Sequence, residues 1–290
     1  MSRRIALVVN PTSGKGHGAR VAPVVRGRLE AAGLTVDEYR TTCAEDVGRI
    51  SADVIASGAD AVALIGGDGT VHLGAQVLAK SGMPFGVIPA GTGNDFARGV
   101  GLPLKDPAKA ADLIVAGHTR TVDLAVAKDE YITTVVAGGF DSLVNQRANA
   151  MSWPRGNSRY TVATLAELRT FKPLEYVVTV DGEVIETKAM LVAVGTGPTY
   201  GGGLQICAGA LIDDGLLDVT IIQPVSRFTL LRMFPKLSKG THVGHPMLRT
   251  LRGRSVRIES PGITAYADGE VLGELPVDIT IAPGALTVYV

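Results

Sequence analysis

Three glycine-rich stretches in the first hundred residues have the residue types to bind phosphate groups. They read NPTSGKG at 10–16, GGDGT at 66–70 and PAGTGNDFA at 89–97. Glycines leave backbone N–H groups bare, and loops that open into helices use those groups to bind anions without a positive side chain. The stretches therefore predict a nucleotide-binding site. Neither the P-loop motif G-x-x-x-x-G-K-S/T nor a G-x-G-x-x-G motif with a downstream ribose acid can be placed on them.

An aspartate inside a phosphate-binding loop needs a reason, because a carboxylate repels phosphate oxygens. A divalent cation between the two groups removes the repulsion, so Asp68 predicts Mg²⁺, held directly or through its waters. Asp95 repeats the arrangement on the next loop, and Asp123 lies where the chain leaves the first domain. The alternative for each loop alone is a tight turn with an aspartate helix cap. Three such loops at one sheet edge favour the metal.

The elements that position these loops alternate along the first 120 residues. Short β-branched runs form the expected strands RIALVVN, TVDEYRT, AVALIGG and FGVIPAG. Helical stretches are expected over 17–32, 44–58 and 70–82, around Asp95, and over 106–117. This pattern predicts a parallel sheet, and ligands bind at the carboxyl ends of parallel strands. Each glycine loop follows a strand, so we expect all three to meet at one edge of the sheet.

After about Val122 the sequence changes to short strands separated by turn signals such as VDGEV, SPG and APG, with one helix-like segment around 158–171. This succession of short strands and turns predicts a mainly antiparallel sandwich or barrel. We therefore expect two domains, a nucleotide-binding α/β domain over 1–122 and a β-rich domain over 123–290.

Composition excludes several classes of protein. The 28 basic and 28 acidic residues cancel, so no overall field favours nucleic acid as a partner. No run of 18 apolar residues occurs, and the first apolar run is too short for a signal peptide. Cys43 and Cys207 are isolated, which argues against zinc or a disulfide framework and fits a reducing cytoplasm. The five histidines form no metal-ligand spacing and are expected at the surface or in loops; they are His17, His72, His118, His242 and His245.

Four motifs carry a resemblance to a known family: NPTSGKG, GGDGTVHLG, PAGTGNDFAR and, far downstream, YADGE. Their order and approximate spacing resemble the diacylglycerol kinase family, especially its soluble bacterial lipid kinases related to sphingosine and ceramide kinases. GGDG is shared with NAD kinases and, more loosely, with phosphofructokinases, whereas GTGNDFA is more specific to the lipid kinases. The resemblance covers nearly the whole chain.

The resemblance implies a Rossmann-like first domain of the NAD kinase and phosphofructokinase type, followed by an antiparallel β-sandwich. It also implies ATP- and Mg²⁺-dependent transfer of the γ-phosphate to a lipid hydroxyl, with diacylglycerol, giving phosphatidic acid, as the favoured substrate. Phosphatidylglycerol, sphingoid bases and glycolipid precursors stay open as substrates. The alternatives are a NAD kinase, which would phosphorylate a ribose hydroxyl, and a catalytically inactive regulator that binds nucleotide or lipid.

The same resemblance assigns site residues. The expected ATP-binding set is Asn10, Pro11, Thr12, Ser13, Gly14, Lys15, Thr41, Gly66, Gly67, Asp68, Gly69, Thr70, Val71, His72, Thr92, Asn94 and Asp95. Lys15 would join Asp68, Asp95 and Asp123 in a polar network around the phosphates. In the resembled family an asparagine is common at the position of His72, so the contact of His72 with ATP stays open. The stretch ALIDDGLLDV resembles the family's magnesium loop, with the Asp214 side chain and the carbonyls of Leu211 and Leu216 as ligands. Its alternative is an acidic hairpin turn.

A kinase that acts on a hydroxyl needs a base near that hydroxyl. The stretch YADGEVLGELP at 266–276 indicates a turn between two strands, which would bring Asp268 and Glu270 together. In the resembled family this turn supplies the base, so Glu270, Asp268 and Asp68 form the expected catalytic set. The alternative is a simple D-G hairpin, of which VDGEV at 180–184 is an example.

Positive charge is concentrated in one part of the second domain. No acidic residue lies between Val219 and Ile258, whereas that window holds Arg227, Arg232, Lys236, Lys239, Arg249, Arg252, Arg254 and Arg257. Within it, VSRFTLLRMFPKLSKG mixes apolar and cationic residues, a composition that suits an anionic bilayer surface. The alternative is a helix that packs on the core with its basic side in water. Nucleic acid is disfavoured, because aromatic residues do not interleave the cations. We expect a cytoplasmic protein bound peripherally at the inner membrane face, with homodimerisation open.

Overall fold

The computed structural model describes residues 2–151, 153, 162–163, 166–167 and 172–290. The helix expected around 158–171 falls largely on residues outside this set. The element bounds given below refer to the described residues.

The first domain is built on parallel strands in the order β2-β1-β3-β4. These strands are β1 Arg4–Val9, β2 Thr35–Arg40, β3 Ala61–Gly66 and β4 Phe85–Pro89. The helices are α1 Ser13–Ala31, α2 Glu45–Ala56, α3 Asp68–Leu78, α4 Asp95–Gly99 and α5 Pro107–Ala116. The βαβ pattern expected from the sequence is confirmed. Gly14, Lys15 and Gly16 have positive φ, so the regular part of α1 begins after them, where the helix was expected.

Alternate residues of β1 pack against opposite layers of helices. Ile5, Leu7 and Val9 share a buried cluster with residues of α1 and α5, whereas Ala6 and Val8 share one with residues of α2 and α3. Parallel sheets are covered on both faces, which is why their strands are apolar throughout. This covering fixes the sheet, and its carboxyl edge carries the three glycine loops.

The second domain is the expected mainly antiparallel β-sandwich. One sheet has the order β12-β11-β10-β7-β14-β15, and it packs on β16, β13, β8 and β9 of the larger sheet through a common apolar core. The strands are β5 Thr119–Ala127, β6 Glu130–Ile132, β7 Val135–Gly139, β8 Leu174–Val180, β9 Glu183–Ala189, β10 Leu191–Gly195, β11 Leu217–Ile222, β12 Leu248–Gly253, β13 Ser255–Glu259, β14 Thr264–Ala267, β15 Glu270–Glu274 and β16 Val277–Tyr289. Helices α6 Phe140–Ala150 and α7 Arg227–Lys239 complete it.

Strand β16 connects the two domains. It pairs with β13 and β5 in antiparallel fashion and with β4 in parallel fashion, where Val288 faces Phe85. The parallel sheet of the first domain and one sheet of the sandwich therefore form a single ten-stranded sheet. The expected boundary between residues 122 and 123 falls inside β5, and its position stays a prediction.

Candidate active site

The three glycine loops meet in backbone contact at the carboxyl edge of the first sheet. A Cβ atom on Gly91 would lie 2.6 Å from the Cα of Gly67, and one on Gly67 would lie 2.9 Å from the Cα of Gly91. A Cβ on Gly14 would overlap the carbonyl oxygen of Ala90. Side chains at these positions would push the loops apart, so glycine is required for the close approach. The expectation that the loops converge is confirmed.

Asn10 fixes the first loop against the second. Its side-chain amide donates to Thr70 Oγ1 at 3.0 Å, while its Oδ1 accepts from the backbone N–H and hydroxyl of Thr12 at 3.2 and 3.0 Å. Lys15 follows in a left-handed conformation with an exposed side chain. Thr41 is buried and donates its hydroxyl to the carbonyl of Val9, so it holds the end of β1.

Asp68 holds the second loop against the third. Its carboxylate accepts from the backbone N–H groups of Asn94 and Asp95 at 2.6 Å each, and from that of Phe96 at 3.3 Å. Burial and the nearby charge of Asp95 raise the pKa of Asp68, although the backbone hydrogen bonds oppose them. Asp68 therefore caps α4 at a cost in desolvation and repulsion. The sequence favoured a metal contact for Asp68, with a helix cap as the alternative; the structure shows the cap, on the helix of the next loop.

Asp95 connects the third loop to the second domain. It is 6% exposed, and its Oδ2 accepts from the backbone N–H of Gly202 at 2.7 Å. Its Oδ1 is buried and has no hydrogen-bond partner among the described residues, with Arg98 Nε 3.8 Å away. Gly201–Gly203 all have positive φ. Sequence reasoning missed this loop, for which three consecutive glycines in TYGGGL were the available signal.

The remaining expected ATP-binding residues differ in what they offer. Asn94 is buried, and its amide closes the turn with Gly91 through hydrogen bonds of 3.0 Å in both directions. Thr92 is exposed at the loop tip. The side chain of Val71 is 2% exposed and belongs to the apolar core, so only its backbone could reach a ligand.

Asp268 lies at the expected turn between β14 and β15, with its side chain fully buried. Its Oδ1 accepts from the backbone N–H and hydroxyl of Thr134 at 2.8 and 2.7 Å. Its Oδ2 accepts from the N–H and hydroxyl of Thr133 at 2.8 and 2.9 Å, and contacts His72 Nδ1 at 2.9 Å. Glu270, the other member of the expected pair, is exposed at the start of β15. The turn thus contains one enclosed and one open carboxylate.

His72 bridges the two domains. It lies on α3, its side chain is only 12% exposed, and its Nε2 is 4.0 Å from Glu130 Oε2. Burial is the largest influence and lowers its pKa, but the hydrogen bond and charge of Asp268, with Glu130 and Glu270, outweigh it and raise the pKa above 6.5. The expectation that the histidines lie at the surface or in loops is wrong for His72. His242 lies in a loop, as expected, but is buried there.

In the expected magnesium loop of the second domain, the Asp214 carboxylate forms an ion pair with an arginine. Arg252 contacts the Asp214 carboxylate and lies 3.2 Å from that of Asp218. The other Asp214 oxygen accepts from the backbone N–H of Leu216 at 3.2 Å, and the side chain of Leu211 is exposed.

Asp123 accepts from two backbone N–H groups, of Gly215 at 2.6 Å and Gly284 at 2.7 Å, and forms no hydrogen bond with Asp68 or Asp95.

Metal-binding side chains are sparse. Within the part of the chain that the structure describes, no three His, Cys, Asp or Glu side chains converge closely enough to hold an ion. Asp68 and Asp95 nevertheless flank one point, because a Cβ on Gly93 would lie 2.6 Å from Asp68 Oδ2 and 3.5 Å from Asp95 Oδ2. A cation at this point would need further ligands from phosphate or water.

Helix α7 carries the basic stretch. It is capped by Ser226 and ends at Gly240, and its Met233 and Leu237 side chains are buried in the core. Its other described side chains include three exposed cations, Arg232, Lys236 and Lys239, and Phe228, which is 62% exposed and lies under the Arg232 guanidinium at 4.3 Å. Among the described residues, no helix is long and apolar enough to cross a bilayer.

Glycine-rich loops at the edge of a Rossmann-like domain, opposed by a β-sandwich with a buried aspartate, are the layout of a kinase with a NAD-kinase-like fold. Residues 4–127 match the model of the diacylglycerol kinase catalytic domain, and residues 134–290 match that of the YegS C-terminal NAD kinase beta sandwich-like domain. The chain belongs to the diacylglycerol kinase family, and it is a lipid kinase.

Individual relatives match over nearly the full chain. Diacylglycerol kinase of Mycobacterium tuberculosis (strain ATCC 25618 / H37Rv) is 45% identical over 98% of this chain and 94% of that protein. Diacylglycerol kinase of Bacillus subtilis (strain 168) is 27% identical over 94% and 92%. A solved structure from Bacillus anthracis str. Sterne superposes with a TM-score of 0.83 at 25% identity, covering 99% of this chain and 97% of that one.

Proposed function

We propose that this lipid kinase phosphorylates the hydroxyl of diacylglycerol, giving phosphatidic acid, in a reaction that requires Mg²⁺. The choice of diacylglycerol is supported by the relatives named diacylglycerol kinase, one of them 45% identical over 98% of the chain. The observation that carries the site is the contact of the phosphate loops with the second domain, through Asp95 with Gly202 and through His72 with Asp268. The reaction then occurs in the cleft between the domains.

The glycine loops bind the phosphates in this proposal. Because Gly67 and Gly91 allow the second and third loops to pack closely against each other, backbone N–H groups of both loops would lie near one bound phosphate. Lys15, exposed at the mouth of the first loop, adds a positive charge near the same edge. Asn10 and Asn94 fix the loops, so the phosphates meet donors that are already oriented.

The buried carboxylates fit a divalent cation. Asp95 Oδ1 is a buried acceptor without a hydrogen-bond partner among the described residues, and the pKa of Asp68 is raised by burial and by Asp95. Both features describe buried negative charge, which Arg98, 3.8 Å from Asp95 Oδ1, approaches without a hydrogen bond. When bound, Mg²⁺ would neutralise charge on the phosphoryl oxygens. Asp214 offers a poorer fit, because a cation there would compete with the Arg252 guanidinium.

Helix α7 is the proposed contact with an anionic bilayer. Phe228, Arg232 and Lys236 are spaced four residues apart and share one face, while Met233 and Leu237 anchor the helix in the fold. Each cation at a membrane surface contributes about 1 kcal/mol, and the attraction is screened over roughly 10 Å at about 0.1 M salt. Lys236→Gln with Lys239→Gln should therefore weaken binding to anionic vesicles about thirtyfold.

The matched control for α7 is Lys105→Gln with Lys109→Gln, two exposed lysines of which the first precedes α5 and the second lies in its first turn. That variant should bind anionic vesicles like the parent protein. Equal binding of the parent protein to neutral vesicles at high salt would overturn the membrane proposal.

The substrate is tested with radiolabelled ATP offered with diacylglycerol in mixed micelles, and separately with NAD in buffer. Mg²⁺-dependent formation of labelled phosphatidic acid is the expected result. Labelled NADP in place of lipid product would assign a NAD kinase. ATP binding without transfer to either acceptor would assign a regulator and overturn the proposed function.

A further inference from the structure

The side chain of Gln76, half-buried on α3, takes the place of a neighbouring strand at the edge of β6. Among the strands of the described residues, β6 pairs with β5 alone, so Tyr131 on its other edge needs partners from elsewhere. The Gln76 amide supplies both. Its Oε1 accepts from the N–H of Tyr131 at 2.9 Å, and its Nε2 donates to the carbonyl of Tyr131 at 2.7 Å.

These partners fix the orientation of the Gln76 amide. Nε2 donates to a second carbonyl, that of His72, at 3.0 Å, so the NH₂ group faces two acceptors while Oε1 faces a donor. A flipped amide would place its oxygen against both carbonyls. The contact therefore needs a side chain of this length that offers a donor and an acceptor at once, and glutamine meets that need. An ionised glutamate has no donor, and a methionine of similar length has neither group.

Strand β6 leads directly to the groups that hold the β14–β15 turn. The next residues after it are Thr133 and Thr134, whose N–H and hydroxyl groups donate to the Asp268 carboxylate at 2.7–2.9 Å. Lys128, in the hairpin between β5 and β6, donates to the carbonyl of Glu274 at the end of β15, at 3.5 Å. The β5–β6 hairpin thus contacts the turn at one end of β15 and the last residue at the other end.

Helix α3 joins this hairpin to the phosphate loops. Asp68, His72 and Gln76 follow one another at intervals of four residues, so they lie on one face of the helix. Asp68 accepts from the N–H groups of the third glycine loop, His72 contacts Asp268, and Gln76 holds β6. Eight residues of helix therefore separate the phosphate loops from the strand next to the turn, a rise of about 12 Å.

We propose that Gln76 is a positioning residue, whose amide holds β6 on α3 and thereby sets the distance between the phosphate loops and the β14–β15 turn. This inference rests on the proposed function, with the turn as the expected location of the base. Phosphoryl transfer needs reacting atoms about 3–3.5 Å apart, and a displacement of about 1 Å can cost about 100-fold in rate. Gln76 contacts neither ATP nor lipid in this proposal, so it acts on the rate of transfer and leaves ATP affinity unchanged.

The first test is Gln76→Met, which keeps the length of the side chain and removes both hydrogen-bonding groups. It should lower kcat on diacylglycerol about 10- to 100-fold, while the calorimetric Kd for ATP stays that of the parent protein. Tm is measured as well, and rates are compared at a temperature where the variant is fully folded. The matched control is Gln223→Met, at an exposed glutamine after β11, which should keep kcat, Kd and Tm. An unchanged kcat in Gln76→Met, or an equal loss of ATP affinity, would overturn the proposal.

The second test is Gln76→Glu, which separates positioning from a merely structural contact. Its ionised carboxylate places an acceptor against the carbonyls of Tyr131 and His72, whereas a protonated carboxyl again offers one donor and one acceptor. The ratio of its kcat to that of the parent protein should therefore rise as pH is lowered from about 8 to about 5. The ratio is used because the other titratable groups are present in both proteins: His72 and Lys80 on α3, Glu130 and Tyr131 on β6, and Asp268 and Glu270 at the β14–β15 turn.

Gln223→Glu is the matched control for the added charge, and its ratio to the parent protein should stay near one at every pH. A ratio for Gln76→Glu that does not change with pH would overturn the positioning role. A parent protein that phosphorylates another lipid in place of diacylglycerol would overturn the substrate assignment alone, and the same ratios measured on that lipid would decide the role of Gln76. The two failures are therefore distinguishable.

Discussion

Asp68→Asn separates the structural and chemical contributions of the second glycine loop. The amide keeps one oxygen for the backbone donors, but its NH₂ group then faces another N–H, so a charge-assisted hydrogen bond worth about 1.5–3 kcal/mol is lost. Against this loss, the mutation removes a buried charge beside Asp95, and the raised pKa of Asp68 indicates that this charge is unfavourable. The two effects oppose each other, so we expect Tm to change by less than about 4 °C.

The Asp68→Asn mutation should lower kcat strongly although it changes Tm little. If Asp68 holds the cation that neutralises the phosphoryl oxygens, its neutral isostere should lower kcat by at least about 100-fold. The assays are initial rates against Mg²⁺ concentration and thermal unfolding of the same preparations. The matched control is Asp106→Asn, at an exposed helix cap whose oxygen accepts from Lys109 N at 2.9 Å, and this variant should keep both rate and Tm.

The stability of the parent protein and that of Asp68→Asn should depend differently on pH. A folded-state pKa above the unfolded value gives a contribution that is present below the unfolded pKa and lost as pH rises through the folded pKa. The parent protein should therefore gain stability relative to Asp68→Asn as pH falls towards about 4. A fully active mutant would remove Asp68 from the chemistry. A Tm loss above about 8 °C together with lost activity would show that Asp68 acts by holding α4 in place.

Three further outcomes are expected. Gly91→Ala should weaken ATP binding at least about tenfold in calorimetry, because its Cβ would lie 2.6 Å from the Gly67 Cα; unchanged affinity would contradict a backbone cradle. Iodoacetamide should label exposed Cys43 alone in the native protein, since burial raises the pKa of the Cys207 thiol to about 12; mass spectrometry showing two labels would refute this. Arg252→Ala should make Tm depend on Mg²⁺, because a cation can replace the guanidinium between its two aspartate partners; indifference to Mg²⁺ would count against a metal at 211–216.

The carboxyl-edge geometry was predictable because local signals determine it. Each glycine loop directly follows a buried strand, and parallel strands bring their carboxyl ends to one edge. The turn at Asp268 was predictable for the same reason, since D-G between two apolar runs is a local hairpin signal.

The contacts between the two domains and around the Asp268 turn were not predictable, because they join residues far apart in sequence. Thr133, which donates to Asp268, lies 135 residues before it, and Gly202 lies 107 residues after Asp95. No periodicity or turn rule relates such pairs. The burial of His72 followed from the same docking, which is why its type and spacing alone wrongly indicated a surface or loop residue.

Strand β16 has a consequence for how the protein is made. Of the strands in the described part of the chain, β16 alone pairs with the outer edge of β4, and the ribosome synthesises it after all the others. Until then the nascent first domain exposes an unpaired strand edge, which is a template for pairing with other chains. The high sequence separation of this contact also slows folding. Chaperone protection during synthesis should therefore matter more for this chain than for one whose nucleotide-binding sheet closes locally.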